Sequence, residues 1–326
     1  MIQEKSVFIK RESYVDTVKV FAILSVVLGH IASPFGKFIF SWHMPLFFFL
    51  SGFFIKIETK SSIFVQKNFK RLIIPYFIFG FLGLILGITK AGILNRELSY
   101  FNEFLGLFYY MDYSYLKNHY GSVLWFLPTL FFGRIIIFLL IKNVKNYFLI
   151  FLVLILLIFT IIKINFLIPF GIDKAILSSL WIYVGYLYFN NKIQKKSITY
   201  ALLMFCFLFL IFNKIPILDV ANKNLENPLI NYIYSLSFIF LIITIFREIY
   251  KKLNNFYKLN NFFMSWGQET MFIFIVHAYT NHASYIIVER YIANAWCLRF
   301  ILSLLLIQML LIIKKRYSNF FLFKYV

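Results

Sequence analysis

Acidic residues are scarce in this chain. Asp and Glu number 13 against 33 Lys and Arg, which leaves a formal net charge of +20 over 326 residues. So basic a chain could serve a nucleic acid, but no basic stretch lies free of membrane-like apolar runs, and no nucleic-acid partner is expected. The excess reads instead as Lys and Arg gathered in the cytoplasmic loops of a membrane protein. Cysteine is almost absent. Cys206 and Cys297 both fall within apolar runs, which argues against a disulfide or thiolate ligands and for small core hydrophobes. Gly/Ser linkers, internal repeats and acidic tails are missing, so no separate soluble domain is expected. No haem, metal or nucleotide-hydrolysis motif is visible either, and neither a bound cofactor nor a metal is expected.

What fills the chain is apolar. Hydrophobic residues make up 61% and aromatics 22%, with 44 Phe, far above a soluble domain. The fold class expected is all-α: a polytopic integral membrane protein, one domain over 1–326, with about ten transmembrane helices. Their ranges are 14–33, 38–55, 72–89, 121–141, 147–163, 173–190, 199–218, 229–247, 267–288 and 297–313. With the N-terminus inside, the inner segments hold 21 of the 33 basic residues and the outer ones 9. That bias predicts both termini cytoplasmic, in a multi-pass protein of the inner (plasma) membrane. The first apolar run follows Lys10-Arg11 as a signal peptide would, but it carries Asp16 and Lys19 and lacks a small-residue cleavage site. It is therefore expected to be retained.

Three basic residues, counted with neither side, remain within spans: Lys19, Arg134 and Arg299. Ionisable groups are costly in hydrocarbon and usually turn inward to a partner or a cavity. On the first helix Lys19 and His30 are eleven residues apart, about 20° past three full turns, and about 16 Å apart along the axis. Asp16 shares their face and is expected to pair with Lys19 at i, i+3. Ser33-Pro34-Phe35-Gly36-Lys37 breaks the helix on the outer side. Ser41-Trp42-His43-Met44-Pro45 opens the next span, which predicts His43 close to His30. Ser51-Gly52 marks a close approach by another helix or a ligand. Lys67, Lys70 and Arg71 sit at an inner helix end, where positive-inside anchoring competes with ligand binding. Arg134 needs a partner, an anionic ligand or a snorkel to water. Segment 90–120 is aromatic and reads as a surface-lying segment or lid; its rings suit an interfacial belt, or stacking on sugars. The ninth span carries Gln268, Glu269, Thr270, His277, Asn281 and His282, the content of a helix that lines a cavity. Spans five, seven and eight read as scaffold.

The ordered segments Tyr14-Val15-Asp16-x-x-Lys19-x10-His30, Trp42-His43-Met44-Pro45 through Ser51-Gly52-Phe53, Lys70-Arg71-Leu72-Ile73-Ile74-Pro75-Tyr76, Leu124-Trp125-Phe126-Leu127-Pro128 and Gly267…His277 carry a resemblance. The chain resembles the acyltransferase 3 family of membrane O-acyltransferases, in its fucose 4-O-acetylase-like and polysaccharide O-acetyltransferase branch. That family's first helix carries a basic residue, ten intervening residues and a histidine; Lys19 stands where many members have Arg. The resemblance implies acyl transfer from cytoplasmic acyl-CoA, most often acetyl-CoA as donor substrate, to hydroxyls of bacterial envelope glycans or lipid-linked saccharides. No extracytoplasmic esterase-like domain is expected, so transfer would go directly to the acceptor or through a partner.

On that basis His30 is expected to be the general base, or alternatively a transient acyl carrier, with Asp16 and Lys19 completing the catalytic set. Lys19, Arg71 and Arg134 are assigned to the phosphates of CoA. His43, Ser51, Trp125 and His277 are assigned to the acceptor or acyl group, although Ser51 also has a packing explanation. The rival reading is a glycolipid or polysaccharide flippase without acyl-transfer chemistry, against which the absence of a two-half repeat counts. A non-catalytic scaffold would have no use for the outer histidines.

Overall fold

The computed structural model describes residues 14–93, 95, 97, 99–116, 121–164, 166–190, 204, 205, 208, 215–253 and 257–319. Helices dominate these residues. In chain order they are α1 (Tyr14–Gly29), α2 (Gly36–Phe40), α3 (His43–Gly52), α4 (Ser61–Ile93), α5 (Tyr100–Leu105), α6 (Tyr113–Leu116), α7 (Ser122–Asn143), α8 (Tyr147–Lys163), α9 (Ile172–Phe189), α10 (Pro228–Leu253), α11 (Tyr257–Gln268), α12 (Thr270–Glu289) and α13 (Trp296–Arg316). A short antiparallel hairpin pairs Leu218–Asp219 with Asn224–Leu225.

Five helices, α4, α7, α10, α12 and α13, are long and apolar enough to cross a membrane. Their outward faces suit lipid. On α13 the exposed residues Leu298, Ile301, Leu305, Met309 and Ile312 recur every three or four positions, an apolar stripe with no protein over it. On α8 the buried stripe Ile150, Leu154, Ile158 and Ile161 faces inward, while Phe148, Leu152, Leu156 and Phe159 face outward.

Several sequence-based spans fall within one helix each, while 267–288 starts in α11 and continues in α12, and two more differ. The stretch 38–55 is not one crossing helix: it is α2 and α3, five and ten residues long, broken at Ser41-Trp42. Pro45 lies in the first turn of α3, where a missing N–H costs nothing. The stretch 14–33 is a helix of 16 residues that ends at Gly29, so His30 follows the helix. The span 199–218 lies almost wholly outside the described residues, as do Lys10-Arg11 and Cys206. Cys297 is exposed on the outer surface of α13 rather than packed in the core.

The inner bundle is held by two close approaches. A Cβ on Gly185 of α9 would stand 2.0 Å from the Phe49 carbonyl oxygen of α3, and one on Gly52 would stand 2.3 Å from the Ile182 oxygen. Both helices therefore need glycine where they cross, and the approach of Ser51-Gly52 is to a helix. Likewise a Cβ on Gly267 would come within 2.6 Å of the Asp16 oxygen, which seats the end of α11 on the first turn of α1. Among the described residues of segment 90–120, 100–116 form α5, a wide turn and α6, tied to α4 by the Tyr76 hydroxyl donating to the Leu107 oxygen at 2.8 Å. Its Tyr100, Phe101, Phe104 and Tyr109 are exposed.

Candidate functional site

α1 runs between two cavities. At one end Asp16 is buried, and the Lys19 ammonium reaches its Oδ1 at 3.1 Å. The same ammonium lies 4.8 Å from the centroid of the Phe54 ring. Lys19 lines a cavity of about 730 Å³ together with Ser51, Arg71, Arg134, Gln268 and Thr270. Lys56 also lines it, so four cations face the single carboxylate Glu58 on its wall, a charge balance that favours an anion. Arg134 is 7% exposed and donates from Nη2 to the Phe54 oxygen at 3.2 Å. Its Nε has no hydrogen-bond partner among the described residues. A buried guanidinium with a spare donor is costly without an anion to accept from it.

At the other end three imidazoles converge from three elements. The His30 ring lies 5.1 Å from His277 and 6.2 Å from His43, centroid to centroid. His43 and His277 are buried, whereas His30 is exposed to the cavity they share. In each the Nδ1 is satisfied by its own chain. His30 donates to the Val26 oxygen at 2.9 Å, His43 to Ile39 at 2.9 Å and His277 to Phe274 at 2.5 Å. A carbonyl only accepts, so Nδ1 carries the hydrogen and the neutral rings keep their lone pairs on Nε2. The Nε2 of His277 is buried with no partner among the described residues. Among those residues no three His, Cys, Asp or Glu side chains form a metal-binding group. A ring held this way can take a proton from a hydroxyl placed before it.

This second cavity measures about 410 Å³, and Trp125, Tyr113, Asp219 and Asn222 also line it. The last two belong to the hairpin, which is fastened by Lys223. That ammonium is 3.1 Å from Asp173 Oδ2 and donates to the oxygens of Ile164 and Phe166 at 3.3 and 3.2 Å. Next to it Lys174 pairs with Asp112. On the other side α12 is fixed to α1 and α13, with Asn281 Nδ2 donating to the Val27 oxygen at 3.2 Å and Ser303 donating to Asn281 Oδ1 at 2.7 Å.

The two cavities abut. Phe274 is the one described residue that lines both. Its ring centroid is 4.8 Å from Phe126, 6.3 Å from Phe47 and 5.5 Å from His277.

The structure thus sorts the sequence-assigned residues into two groups. Lys19, Arg71, Arg134 and Ser51 meet at the basic cavity, with Asp16 behind Lys19. His30, His43, His277 and Trp125 meet at the histidine cavity. Ser51 lines the basic cavity and not the histidine cavity, and its hydroxyl donates to the Phe48 oxygen at 2.6 Å. Sequence reasoning missed Phe274, because nothing distinguishes one Phe among 44. It also missed Asp219 and Asn222, although Asp219 and the polar run Asn222-Lys223-Asn224 form a legible turn signal.

A family model described as an acyltransferase domain matches residues 12–324. No curated protein and no solved structure matches the chain.

Proposed function

The chain belongs to the acyltransferase 3 family, and we propose that it moves an acyl group, most simply acetyl, from cytoplasmic acyl-CoA to a hydroxyl of a cell-envelope or lipid-linked saccharide. The observation that carries this reading is α1, which brings Lys19 to the basic cavity and His30 to the histidine cavity, about 16 Å along its axis. CoA has the same division: phosphates at one end, a thioester at the end of a long pantetheine arm. Lys19, Arg71 and Arg134 would take the phosphates, and the spare Nε of Arg134 suits an anionic oxygen. The arm would then extend along α1 toward His30, while the nucleotide stays at the basic end.

The acceptor hydroxyl would enter the histidine cavity beside Trp125, whose face suits a sugar ring. His30 is the base in this reading. Its Nε2 takes the hydroxyl proton as the oxygen attacks the thioester carbonyl. The ester C–O bond forms, the C–S bond breaks, and the proton passes from Nε2 to the departing CoA thiolate. The reaction balances without redox chemistry. Since Nε2 of His43 and His277 also accepts, those rings would hold neighbouring hydroxyls of the acceptor. In this arrangement about ten helices cross the plasma membrane of the cell, with both termini and the basic cavity on the cytoplasmic side. Family membership favours acyl transfer over a flippase.

The test is thioester consumption. Purified protein in detergent with acetyl-CoA and an envelope lipid extract should release free CoA thiol, and His30→Ala should not. Release that is equal in the two proteins would overturn the assignment of His30. Absence of release with any acyl-CoA would overturn the reaction.

A further inference from the structure

The acyl-transfer reading leaves open what sets the size of the acyl group, and the junction of the two cavities addresses it. Three rings stand there, from three helices: Phe47 of α3, Phe126 of α7 and Phe274 of α12. Phe126 and Phe274 are buried, and Phe47 is half-buried. Phe47 and Phe126 line the basic cavity, whereas Phe274 lines both. The Phe274 ring is thus a partition with the cations on one side and the imidazoles on the other. It is also held in place. The Phe274 carbonyl accepts from His277 Nδ1 at 2.5 Å, so ring and imidazole are set by the same turn of α12. The ring packs at 4.8 Å from Phe126, whose own ring lies 6.1 Å from Phe47. An acyl group arriving from the basic side must stop against this ring or pass its edge before its carbonyl reaches His30.

We propose that Phe274, backed by Phe47 and Phe126, selects the acyl group by length, admitting short acyl chains to the histidine cavity and turning longer ones back. This rests on the acyl-transfer reading above. Shape alone would do the selecting. The wall offers rings and no polar side chain, so a short chain fits beside it and each added methylene must displace packed carbon. The transfer step is unchanged, with the same C–S bond broken and C–O bond formed.

The experiment is a chain-length profile. Wild-type protein, Phe274→Ala and Phe274→Leu in detergent are given acetyl-, butyryl- and hexanoyl-CoA with the same lipid extract, and kcat/KM is measured for each. Wild type should prefer acetyl. Phe274→Ala should raise hexanoyl relative to acetyl by about tenfold or more, the discrimination a few methylenes exert in an apolar pocket. Phe274→Leu should lie between, and it serves as the deciding variant if the alanine protein does not fold, as judged by CoA binding. A profile unchanged in a folded variant would overturn the selector. If wild type consumes none of the three thioesters, the acyl-transfer reading fails instead, so the two failures are distinguishable.

Discussion

Replacing Arg134 by Met should make the empty protein more stable and shrink the stabilisation that CoA adds. The side chain is 7% exposed and donates one hydrogen bond, to the Phe54 oxygen at 3.2 Å. Its Nε has no partner, and no carboxylate lies within ion-pair distance among the described residues. A buried guanidinium so placed is a desolvation cost that a similar apolar side chain removes, on the order of 1–4 kcal/mol. CoA acts against this gain. A hydrogen bond between a charged donor and a phosphate is worth about 1.5–3 kcal/mol, so its loss weakens binding roughly 10- to 150-fold. At CoA 100 times above the wild-type Kd, ligand stabilises the wild type by about 2.7 kcal/mol. A variant that binds about 100-fold more weakly gains only about 0.4 kcal/mol from the same concentration. The assay is thermal unfolding of the purified protein in one detergent, with and without CoA, at two salt concentrations. The expected result is a higher Tm without CoA and a much smaller CoA shift for the variant. If CoA raises the Tm of Arg134→Met as far as that of wild type, the basic cavity is not the phosphate site and the reasoning is refuted.

Two further outcomes follow from packing. Gly185→Ala should destabilise by about 3 kcal/mol or more, because its Cβ would meet the Phe49 backbone at 2.0 Å and neither helix can yield with a side chain alone. A melting curve superimposable on wild type would show that the α3–α9 crossing is looser than described. Asn281→Leu removes the bonds to Val27 and Ser303 that set α12 against α1 and α13. Interhelical hydrogen bonds of this kind contribute about 0.6–2 kcal/mol in membranes. The variant should lose that much stability, and its kcat should fall more than its KM for acyl-CoA rises, because His277 shifts while the cations stay. An unchanged kcat would contradict the coupling of α12 position to the histidine cluster.

The helical, membrane-spanning character was legible because burial on all sides leaves an apolar composition that no soluble fold has. The Lys19–His30 stripe was legible because helical periodicity is arithmetic. The nearness of His43 followed from a connection too short to allow anything else. Other features come from tertiary contacts that periodicity does not encode. Hydropathy averages over the break at Ser41-Trp42, so α2 and α3 read as a single span. Which His of a polar span turns toward His30 depends on the rotation of α12, and that rotation is set by Asn281 and Ser303, distant in the chain. Arg134 lies 80 residues from its carbonyl partner Phe54, and only the fold brings it to Lys19. Ser51 was assigned to the acceptor or acyl group, with packing as its other explanation. Its glycine neighbour accounts for the packing, since the approach there is backbone to backbone, a contact that only the fold reveals.

The central claim, that this chain transfers an acyl group to an envelope saccharide with His30 at the chemistry, is tested most directly by the mass of the glycans themselves. Glycans would be taken from cells that carry the protein, cells that lack it, and cells that carry His30→Ala at equal abundance. The account predicts a gain of about 42 Da per acetyl group in the first sample only. Glycans of unchanged mass in all three, or a gain that persists in the His30→Ala cells, would contradict it.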